Sequence, residues 1–358
     1  MTVTDAPVLI TGVTGYIGAE VAKQLLAAGY RVRGTTRDAD HARVGGYVTG
    51  LDGAAERLEL VQADLLDAGS IATAATGCDY IIHVASPYIL DVADPQRDLV
   101  DPAVKGTEAV LEAASLVGTV KRVVLTSSVA AVMGAPRARV FTETDWNTVS
   151  TLDNGPYSFS KTQAERLAWD YVESEQPSFD LVVINPSGVI GPSIVPRLNQ
   201  SAVLFSNLTN GETPGIVSLD FAYVDVRDVG KAHVAAMETP SASGRYICSA
   251  ETVTMRRVID VMREMGLDQK YKLPSMSLDN AFGNLVVRLV ANAQPKGTRS
   301  WLKTFVGKTY TFDTARIESE LSIEFRDMND TLSAAIADTD HWGHLGHKVV
   351  PGEEVSQG

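Results

Sequence analysis

A glycine-rich turn between a strand-like run and a helical pattern constrains the fold of this chain more than any other feature. Gly12, Gly15 and Gly18 lie within residues 11–18, directly after the apolar run 8–11. In this context one glycine permits a tight turn, one lets the backbone approach a pyrophosphate, and the third lets the helix pack on the strand. The free N–H groups at the helix N-terminus attract phosphates. The turn therefore predicts a dinucleotide-binding strand–turn–helix unit.

Apolar runs alternate with helical patterns through the first half of the chain. The strand candidates are residues 8–11, 31–36, 58–62, 80–84, 122–126 and 181–184. They are continuously apolar, as expected for strands covered on both faces of a parallel sheet. We therefore predict an α/β fold with a doubly wound parallel sheet, the Rossmann arrangement.

The later part of the chain has a less regular pattern and predicts a smaller C-terminal substrate-binding lobe. We assign residues 1–185 to the dinucleotide-binding core, to which residues 221–240 return. Residues 186–220 and 241–342 form the predicted lobe. Residues 343–358 show no periodicity and predict a mobile tail.

Charge and cysteine content exclude several classes of protein. The 358 residues include 31 Lys and Arg against 44 Asp and Glu, a net charge of −13, which disfavours nucleic acid and anionic membranes. Cys78 and Cys248 lack any metal-ligand spacing, and His341, His344 and His347 fit a solvated tail better than a metal site. The missing metal-ligand spacing predicts a protein without a metal. No leader and no long apolar run is evident, so we expect the protein to be cytoplasmic.

The end of the second strand candidate bears on the choice of cofactor. In NAD-binding folds an acidic residue there holds the ribose hydroxyls. Here the position carries Arg37 followed by Asp38. Arg37 can clamp a 2′-phosphate, which favours NADP(H), whereas a shift of one residue to Asp38 would favour NAD(H). Asp64 and Leu65, after the third strand candidate, are placed either to meet the adenine or to cap the next helix.

A tyrosine and a lysine share one helical face in the segment after Pro156. Tyr157 and Lys161 are four residues apart, and the Lys ammonium can stabilise a phenolate whose ordinary pKa is about 10. Ser127 and Ser128 follow the strand candidate 122–126, at the edge where parallel sheets bind ligands. Ser128, with Ser127 as the alternative, can hydrogen-bond a substrate carbonyl while Tyr157 transfers a proton.

Taken together, these motifs resemble an extended short-chain dehydrogenase/reductase of the dihydroflavonol reductase-like branch, which includes cinnamoyl-CoA reductases and yeast-type methylglyoxal reductases. The resemblance covers roughly residues 7–250, about two thirds of the chain. The residues that carry it are the turn 11–18, Val32-Arg33, Arg37-Asp38, Ala63-Asp64-Leu65, Gly77-Cys78-Asp79, His83-Val84-Ala85-Ser86-Pro87, Asp94-Pro95, Leu125-Thr126-Ser127-Ser128, Tyr157, Lys161, Asn185-Pro186, Gly191-Pro192, residues 223–229 and Ala232-His233.

The resemblance implies roles for individual positions. Ser128, Tyr157 and Lys161 match the catalytic Ser, Tyr and Lys. The implied cofactor-binding residues are Gly12, Gly15, Tyr16, Ile17, Gly18, Arg37, Asp64, Leu65, Val84, Ala85, Ser86, Tyr157, Lys161, Pro186 and Val189, with Ser201 as a weaker match. One departure concerns Met133, which stands where plant dihydroflavonol reductases have an Asn. We expect Val129, Met133 and Phe159 to form an apolar pocket wall.

The predicted function is NADPH-dependent reduction of an aldehyde or ketone, reversible, with Tyr157 as the proton donor. The small-molecule carbonyl substrate is expected to be hydrophobic, and the protein to be a monomer or homodimer that binds neither nucleic acid nor membrane. Three alternatives remain at this point. They are a sugar-nucleotide epimerase, a hydroxysteroid dehydrogenase of the same fold, and a non-catalytic NADP-sensing protein.

Overall fold

A computed structural model describes residues 5–86, 94–196, 198–211, 213, 215–293 and 296–347. Its strands are β1 (Val8–Thr11), β2 (Val32–Thr36), β3 (Leu58–Gln62), β4 (Tyr80–His83), β5 (Arg122–Thr126), β6 (Asp180–Pro186), β7 (Gly188–Ile190), β8 (Gly215–Val217), β9 (Asp220–Asp225), β10 (Gly244–Cys248), β11 (Glu251–Thr254) and β12 (Met276–Leu278).

Helices connect most of these strands. They are α1 (Tyr16–Ala27), α2 (Ala39–Gly45), α3 (Ala54–Arg57), α4 (Ala68–Ala75), α5 (Asp101–Val117), α6 (Pro156–Glu175), α7 (Val203–Thr209), α8 (Val226–Glu238), α9 (Met255–Glu264), α10 (Ala281–Val290), α11 (Lys296–Phe305), α12 (Ala315–Leu321) and α13 (Met328–His341). A π-helical turn, Gln96–Val100, precedes α5, and 3-10 turns occupy Val129–Ala131, Leu267–Gln269 and Ala291–Ala293.

The central sheet has seven strands over the described residues, in the order β10-β6-β5-β4-β1-β2-β3. Every pairing in it is parallel. The chain moves outward in one direction through β2 and β3 and in the other through β4, β5 and β6. This reversal beside β1 opens a crevice at the carboxyl ends of β1 and β4, where such sheets bind ligands. The predicted doubly wound α/β fold is confirmed.

Both faces of this sheet are covered, which explains the uninterrupted apolar strands. Val8 and Ile10 of β1 are fully buried among residues of α1 and α8. Leu9, between them, is fully buried on the opposite face among residues of α4, α5 and α6. Successive strand residues point to opposite faces, so a strand buried on both faces needs an apolar residue at every position. Each such side chain contributes about 1.5–3 kcal/mol on burial.

A second apolar cluster lies in the later part of the chain. It joins Phe205 of α7, Val258 and Met262 of α9, and Leu332 and Ile336 of α13. A mixed sheet, in the order β11-β9-β7, and a parallel pair of β12 with β8 accompany this cluster. The division of the chain into a core and a lobe remains our proposal.

The predicted lobe boundary at residue 241 is wrong for β10. This strand pairs with β6 in the central sheet, with Tyr246 opposite Ile184. Tyr246 and Ile247 are fully buried. The physical reason is that β6 would otherwise expose an unpaired edge, and a short apolar strand from later in the chain covers it.

The chain remains packed beyond residue 342. Leu345 is buried in the second apolar cluster, and the Gly346 N–H donates to the Thr209 hydroxyl at 3.0 Å. The predicted mobile tail therefore does not begin at residue 343, and it stays a prediction for residues 348–358, which lie outside the described residues. Within the described chain no helix combines the length and the apolar character that a membrane span requires.

Candidate active site

The glycine turn brings backbone close to backbone at three positions. Gly12 has φ +70°, and a Cβ there would lie 2.9 Å from the Cβ of Ala85. A Cβ at Gly18 would lie 2.2 Å from the Gly12 carbonyl oxygen, so only glycine lets α1 start this close to β1. Gly15 precedes α1 and carries no capping side chain. The first N–H groups of α1 therefore face the crevice without a side-chain cap, as binding of a diphosphate requires.

The Thr11 hydroxyl joins β1 to the segment after β4. Its Oγ1 accepts the Val84 and Ala85 N–H groups at 3.1 and 3.2 Å, and it lies 2.7 Å from Nδ1 of His83. Because that oxygen already accepts two N–H groups, its own proton is donated to Nδ1. Burial, with the nearby charge of Lys161, lowers the pKa of His83 to about 3. His83 is thus a neutral structural residue that fixes Val84 and Ala85; Ser86 follows them, half-buried, and Pro87 lies outside the described residues.

The residues after β2 differ in their availability to a ligand. Arg37 is exposed, directly after the strand. Asp38 is engaged, since its Oδ1 accepts the His41 N–H at 2.9 Å and caps α2. A capping carboxylate is held by its own helix, whereas an exposed guanidinium can turn toward an added phosphate. This difference supports Arg37, and not Asp38, as the residue that contacts the ribose and its 2′-phosphate.

After β3, the structure uses Asp64 within its own turn. Its Oδ1 accepts the Leu66 N–H at 2.9 Å. Leu65 is half-buried, and a Cβ added at Gly106 of α5 would lie 3.2 Å from its side chain. The alternative that Asp64 caps the next helix is wrong, because Asp67 is the N-cap of α4 and Asp64 closes only its own turn. A role for Asp64 and Leu65 in cofactor binding stays a prediction.

The two serines after β5 have different environments. Ser127 is buried and donates to Oε2 of Glu165 at 2.5 Å. Ser128 is half-buried; its Oγ accepts the Ala130 N–H at 3.1 Å and lies 3.4 Å from the Pro186 carbonyl oxygen. The Ser127 hydroxyl is therefore held by a buried carboxylate, whereas Ser128 is partly exposed, and this difference supports Ser128 over Ser127.

Helix α6 carries the predicted Tyr157 and Lys161 on one face, followed one turn later by Glu165. Lys161 is 7% exposed and lines a small cavity together with His83, Ser86, Thr126 and Ser127. Burial lowers the pKa of Lys161 from 10.5 to about 8, and the charge of Glu165 opposes the shift. The carboxyl ends of β4 and β5 and one face of α6 thus meet at this lysine.

Two buried polar atoms lie where β6 passes into β7. Oδ1 of Asn185 and Oγ of Ser187 are buried and have no hydrogen-bond partner among the described residues. Such groups are costly unless something binds them. They flank Pro186, one of the predicted nicotinamide contacts; the other, Val189, is buried in β7. A ligand with its own hydrogen-bonding groups would satisfy this polar pair.

Three further predicted residues have mixed outcomes. The Tyr16 hydroxyl donates to the Gly191 carbonyl at 2.8 Å, so it ties the glycine turn to the chain after β7. Ile17 packs against the apolar cluster under α1 and α8. Ser201 lies half-buried in the turn before α7. Their roles as cofactor ligands stay predictions.

The expected apolar wall stays a prediction for Val129 and Met133 and is wrong for Phe159. Val129 and Met133 pack together with Phe141 and Ile247. Phe159 is misassigned, because it lines a cleft with Val100 and Gln163 on the other side of α6. Two residues along a helix correspond to about 200° of rotation, so Phe159 faces away from Tyr157 and Lys161.

Sequence reasoning missed Glu165 and Arg245. Glu165 was detectable, because it follows Lys161 by one helical turn and an acidic residue on a buried helix face needs a partner. Its partner Arg245 lies 80 residues later, and no local pattern connects the two.

A doubly wound parallel sheet, a glycine-rich turn after β1 and a buried lysine of α6 at the carboxyl ends of β4 and β5 are together typical of an enzyme of the extended short-chain dehydrogenase/reductase class. The NAD dependent epimerase/dehydratase family matches residues 8–248, and the chain belongs to this family.

Relatives and solved structures agree with this assignment. Cinnamoyl-CoA reductase CAD2 of Medicago truncatula is 41% identical over 72% of this chain and 80% of its own length. Tetraketide alpha-pyrone reductase 1 of Arabidopsis thaliana is 32% identical over 94% of this chain and 96% of its own. The crystal structure of Gre2 from Candida albicans in complex with NADPH is 27% identical, with a TM-score of 0.77 over 94% of this chain and 99% of that one. The predicted family and oxidoreductase class are confirmed.

Proposed function

We propose that this protein reduces an aldehyde or ketone to the alcohol with NADPH, in a reversible reaction for which Tyr157 donates the proton. The observation that carries the proposal is the cavity where Lys161, one helical turn from Tyr157, meets the carboxyl ends of β4 and β5 beyond the glycine turn. The relatives are reductases, and a similar solved structure contains NADPH. NADP(H) is the cofactor, and the cytoplasm is our proposed location.

Residues along the whole crevice fit that cofactor. The Gly12–Gly18 turn would hold the diphosphate, and Arg37 the 2′-phosphate, in a protein whose net charge of −13 otherwise repels it. The unpartnered Ser187 hydroxyl and Asn185 amide oxygen would meet the nicotinamide side. When bound, NADPH supplies the hydride that reduces the carbonyl carbon.

Three side chains of the protein would then take part in the reduction, two of them directly at the carbonyl oxygen. The Ser128 hydroxyl donates a hydrogen bond that orients it. Tyr157 transfers its phenolic proton as the oxygen gains charge. The Lys161 ammonium, one helical turn away, stabilises the phenolate that remains. Orientation against a fixed hydride donor supplies a large part of the acceleration.

An aromatic cluster beside Ser128 supports our proposal for the substrate class. Val129, the next residue, packs in a cluster with Phe305, Tyr310 and Phe312. Rings contact one another from Phe312 through Tyr310 and Phe305 to Trp301, at centroid distances of 5.7–5.9 Å. Such a wall offers an apolar surface and few polar groups, so we propose a hydrophobic carbonyl substrate, with an aryl or branched alkyl group on this wall.

The test follows NADPH and NADH absorbance while the purified protein meets aryl and alkyl aldehydes and ketones. We expect NADPH oxidation that is faster with larger apolar groups. Tyr157→Phe should lower kcat by about a hundredfold or more while NADPH still binds. If the native protein consumes neither cofactor, the proposal is wrong, and interconversion of sugar nucleotides is the assay to run next.

A further inference from the structure

A buried ion pair lies behind the catalytic residues and takes no part in the reaction described above. Glu165 of α6 is 1% exposed and Arg245 of β10 is 6% exposed. The Arg245 Nε donates to Oε1 of Glu165 at 2.5 Å. Such a pair is retained at a cost, because two charges must leave water. A fold that needed only to fill this space could use apolar side chains.

The Glu165 carboxylate connects the elements that carry the catalytic groups. Besides Arg245, its Oε2 accepts the Ser127 hydroxyl at 2.5 Å and the Asn185 amide at 2.8 Å. The same Asn185 amide donates to the Ser128 carbonyl at 3.2 Å. One carboxylate on α6 thus binds the chain after β5 and the end of β6, and through Asn185 it reaches the backbone of Ser128.

Arg245 extends this connection to the loop that leads into α6. Its Nη1 donates to the carbonyls of Glu143 and Asp145 at 2.8 and 2.6 Å, and its guanidinium lies 4.0 Å from the ring centroid of Trp146. The next residue, Asn147, donates to the Ala130 carbonyl at 2.8 Å, in the 3-10 turn that follows Ser128. The Glu165–Arg245 pair is therefore connected to both segments that lead to the site, the turn after Ser128 and the loop before α6, the helix that carries Tyr157.

We propose that Glu165 is a positioning residue of the reductase reaction, which holds Ser128 against Tyr157 and Lys161 through its ion pair with Arg245 and places a buried negative charge one helical turn from Lys161. The inference rests on the proposed function. It goes beyond it, because the proposed reaction gives Glu165 no role and Glu165 would act through Ser127, Asn185 and Arg245.

The negative charge of Glu165 affects the pH dependence of the enzyme. The titratable groups around Lys161 are Tyr157 and Glu165 on α6 and His83 on β4, while α5 and β5 contribute Thr107, Thr126 and Ser127 to the described cavity. His83 is neutral near pH 7, so Glu165 supplies the buried negative charge beside the ammonium. Removal of that charge makes Lys161 lose its proton at lower pH, which moves the alkaline limb of kcat/KM toward acid.

The experiment compares Glu165→Gln with the native enzyme. We expect kcat to fall about tenfold, the NADPH dissociation constant to change less than about threefold, and the alkaline limb to move down by about one pH unit, a tenfold change in the proton equilibrium. Glu165→Asp, which keeps the charge, should leave the limb in place. An unchanged kcat and an unchanged limb in Glu165→Gln overturn the proposal.

A matched control and a second variant separate positioning from folding. Arg122 and Asp180 form another ion pair, at the amino ends of β5 and β6, whereas the candidate site lies at the carboxyl ends. Asp180→Asn should leave the pH profile unchanged; a shifted limb there would overturn the proposal. If Glu165→Gln does not fold, the double variant Glu165→Gln with Arg245→Met removes both charges. An alkaline limb of kcat/KM at the same pH as in the native enzyme would then also refute the proposal. If the native enzyme reduces no carbonyl, the proposed function has failed instead.

Discussion

Replacement of Lys161 by methionine should stabilise the folded protein while it abolishes reduction. Burial lowers the pKa of Lys161 to about 8 in the folded chain, against an ordinary value of 10.5. Near pH 7 both the folded and the unfolded chain carry the ammonium, so the folded state bears the cost of burying it. The difference between these two pKa values corresponds to about 3 kcal/mol. A methionine side chain at this position would fill a similar volume without that cost.

The direction in which stability changes with pH distinguishes the removal of a buried charge from a mere improvement in packing. Between about pH 8 and pH 10.5 the unfolded chain holds a proton that the folded chain has released, so the stability of the native protein rises with pH. The advantage of Lys161→Met should therefore shrink to about 1.4 kcal/mol near pH 9.5. The cost disappears at still higher pH.

Urea denaturation of both proteins without cofactor, near neutral pH and at about pH 9.5, measures the two differences. Lys231→Met, at an exposed lysine of α8, is the matched control and should be neutral at both pH values. A Lys161→Met protein that is no more stable than the native one, or an advantage that does not shrink with pH, would refute the reasoning.

Two further variants test the ligand contacts. Arg37→Ala should raise the KM for NADPH by about tenfold to a hundredfold and leave the KM for NADH nearly unchanged, since a charge-assisted hydrogen bond contributes about 1.5–3 kcal/mol. Arg31→Ala, at the other end of β2, is the control. An equal rise in KM for both cofactors in Arg37→Ala would contradict the assignment. Phe305→Ala should raise the KM for aryl ketones about threefold to tenfold, with little effect on small aliphatic ones. Phe282→Ala, at a ring 71% exposed on α10, should change neither, and steady-state kinetics decide both cases.

Much of the fold was predictable because its signals are local. Gly18 is required by a contact within one strand–turn–helix unit, where a Cβ would lie 2.2 Å from the Gly12 carbonyl oxygen, and Gly12 is favoured by its positive φ of +70° in the same turn. The first strands are readable because a strand buried on both faces needs apolar residues throughout, as Val8, Leu9 and Ile10 show. The pairing of Tyr157 with Lys161 follows from helical periodicity alone.

Contacts distant in sequence were not readable in this way. The strand β10 is short and lies among Gly and Ser residues, so its place beside β6 depends on an edge formed some 60 residues earlier. Phe159 is an apolar residue close in sequence to the predicted catalytic Tyr157 and Lys161, yet its direction depends on the rotation of α6 against α5. The choice between Ser127 and Ser128 depends on Glu165, which lies 38 residues after Ser127.

The dinucleotide-binding unit, the parallel sheet and the shared helical face of Tyr157 and Lys161 can be read from the amino-acid sequence, since each depends on periodicity or on spacing within one or two elements. The packing of the whole chain is needed to see that Glu165 binds the Ser127 hydroxyl, that Asp38 caps α2, and that Glu165 and Arg245 form a buried pair. The physical reason is that burial and electrostatic partners arise from elements far apart in the chain, and packing alone brings them within hydrogen-bond distance.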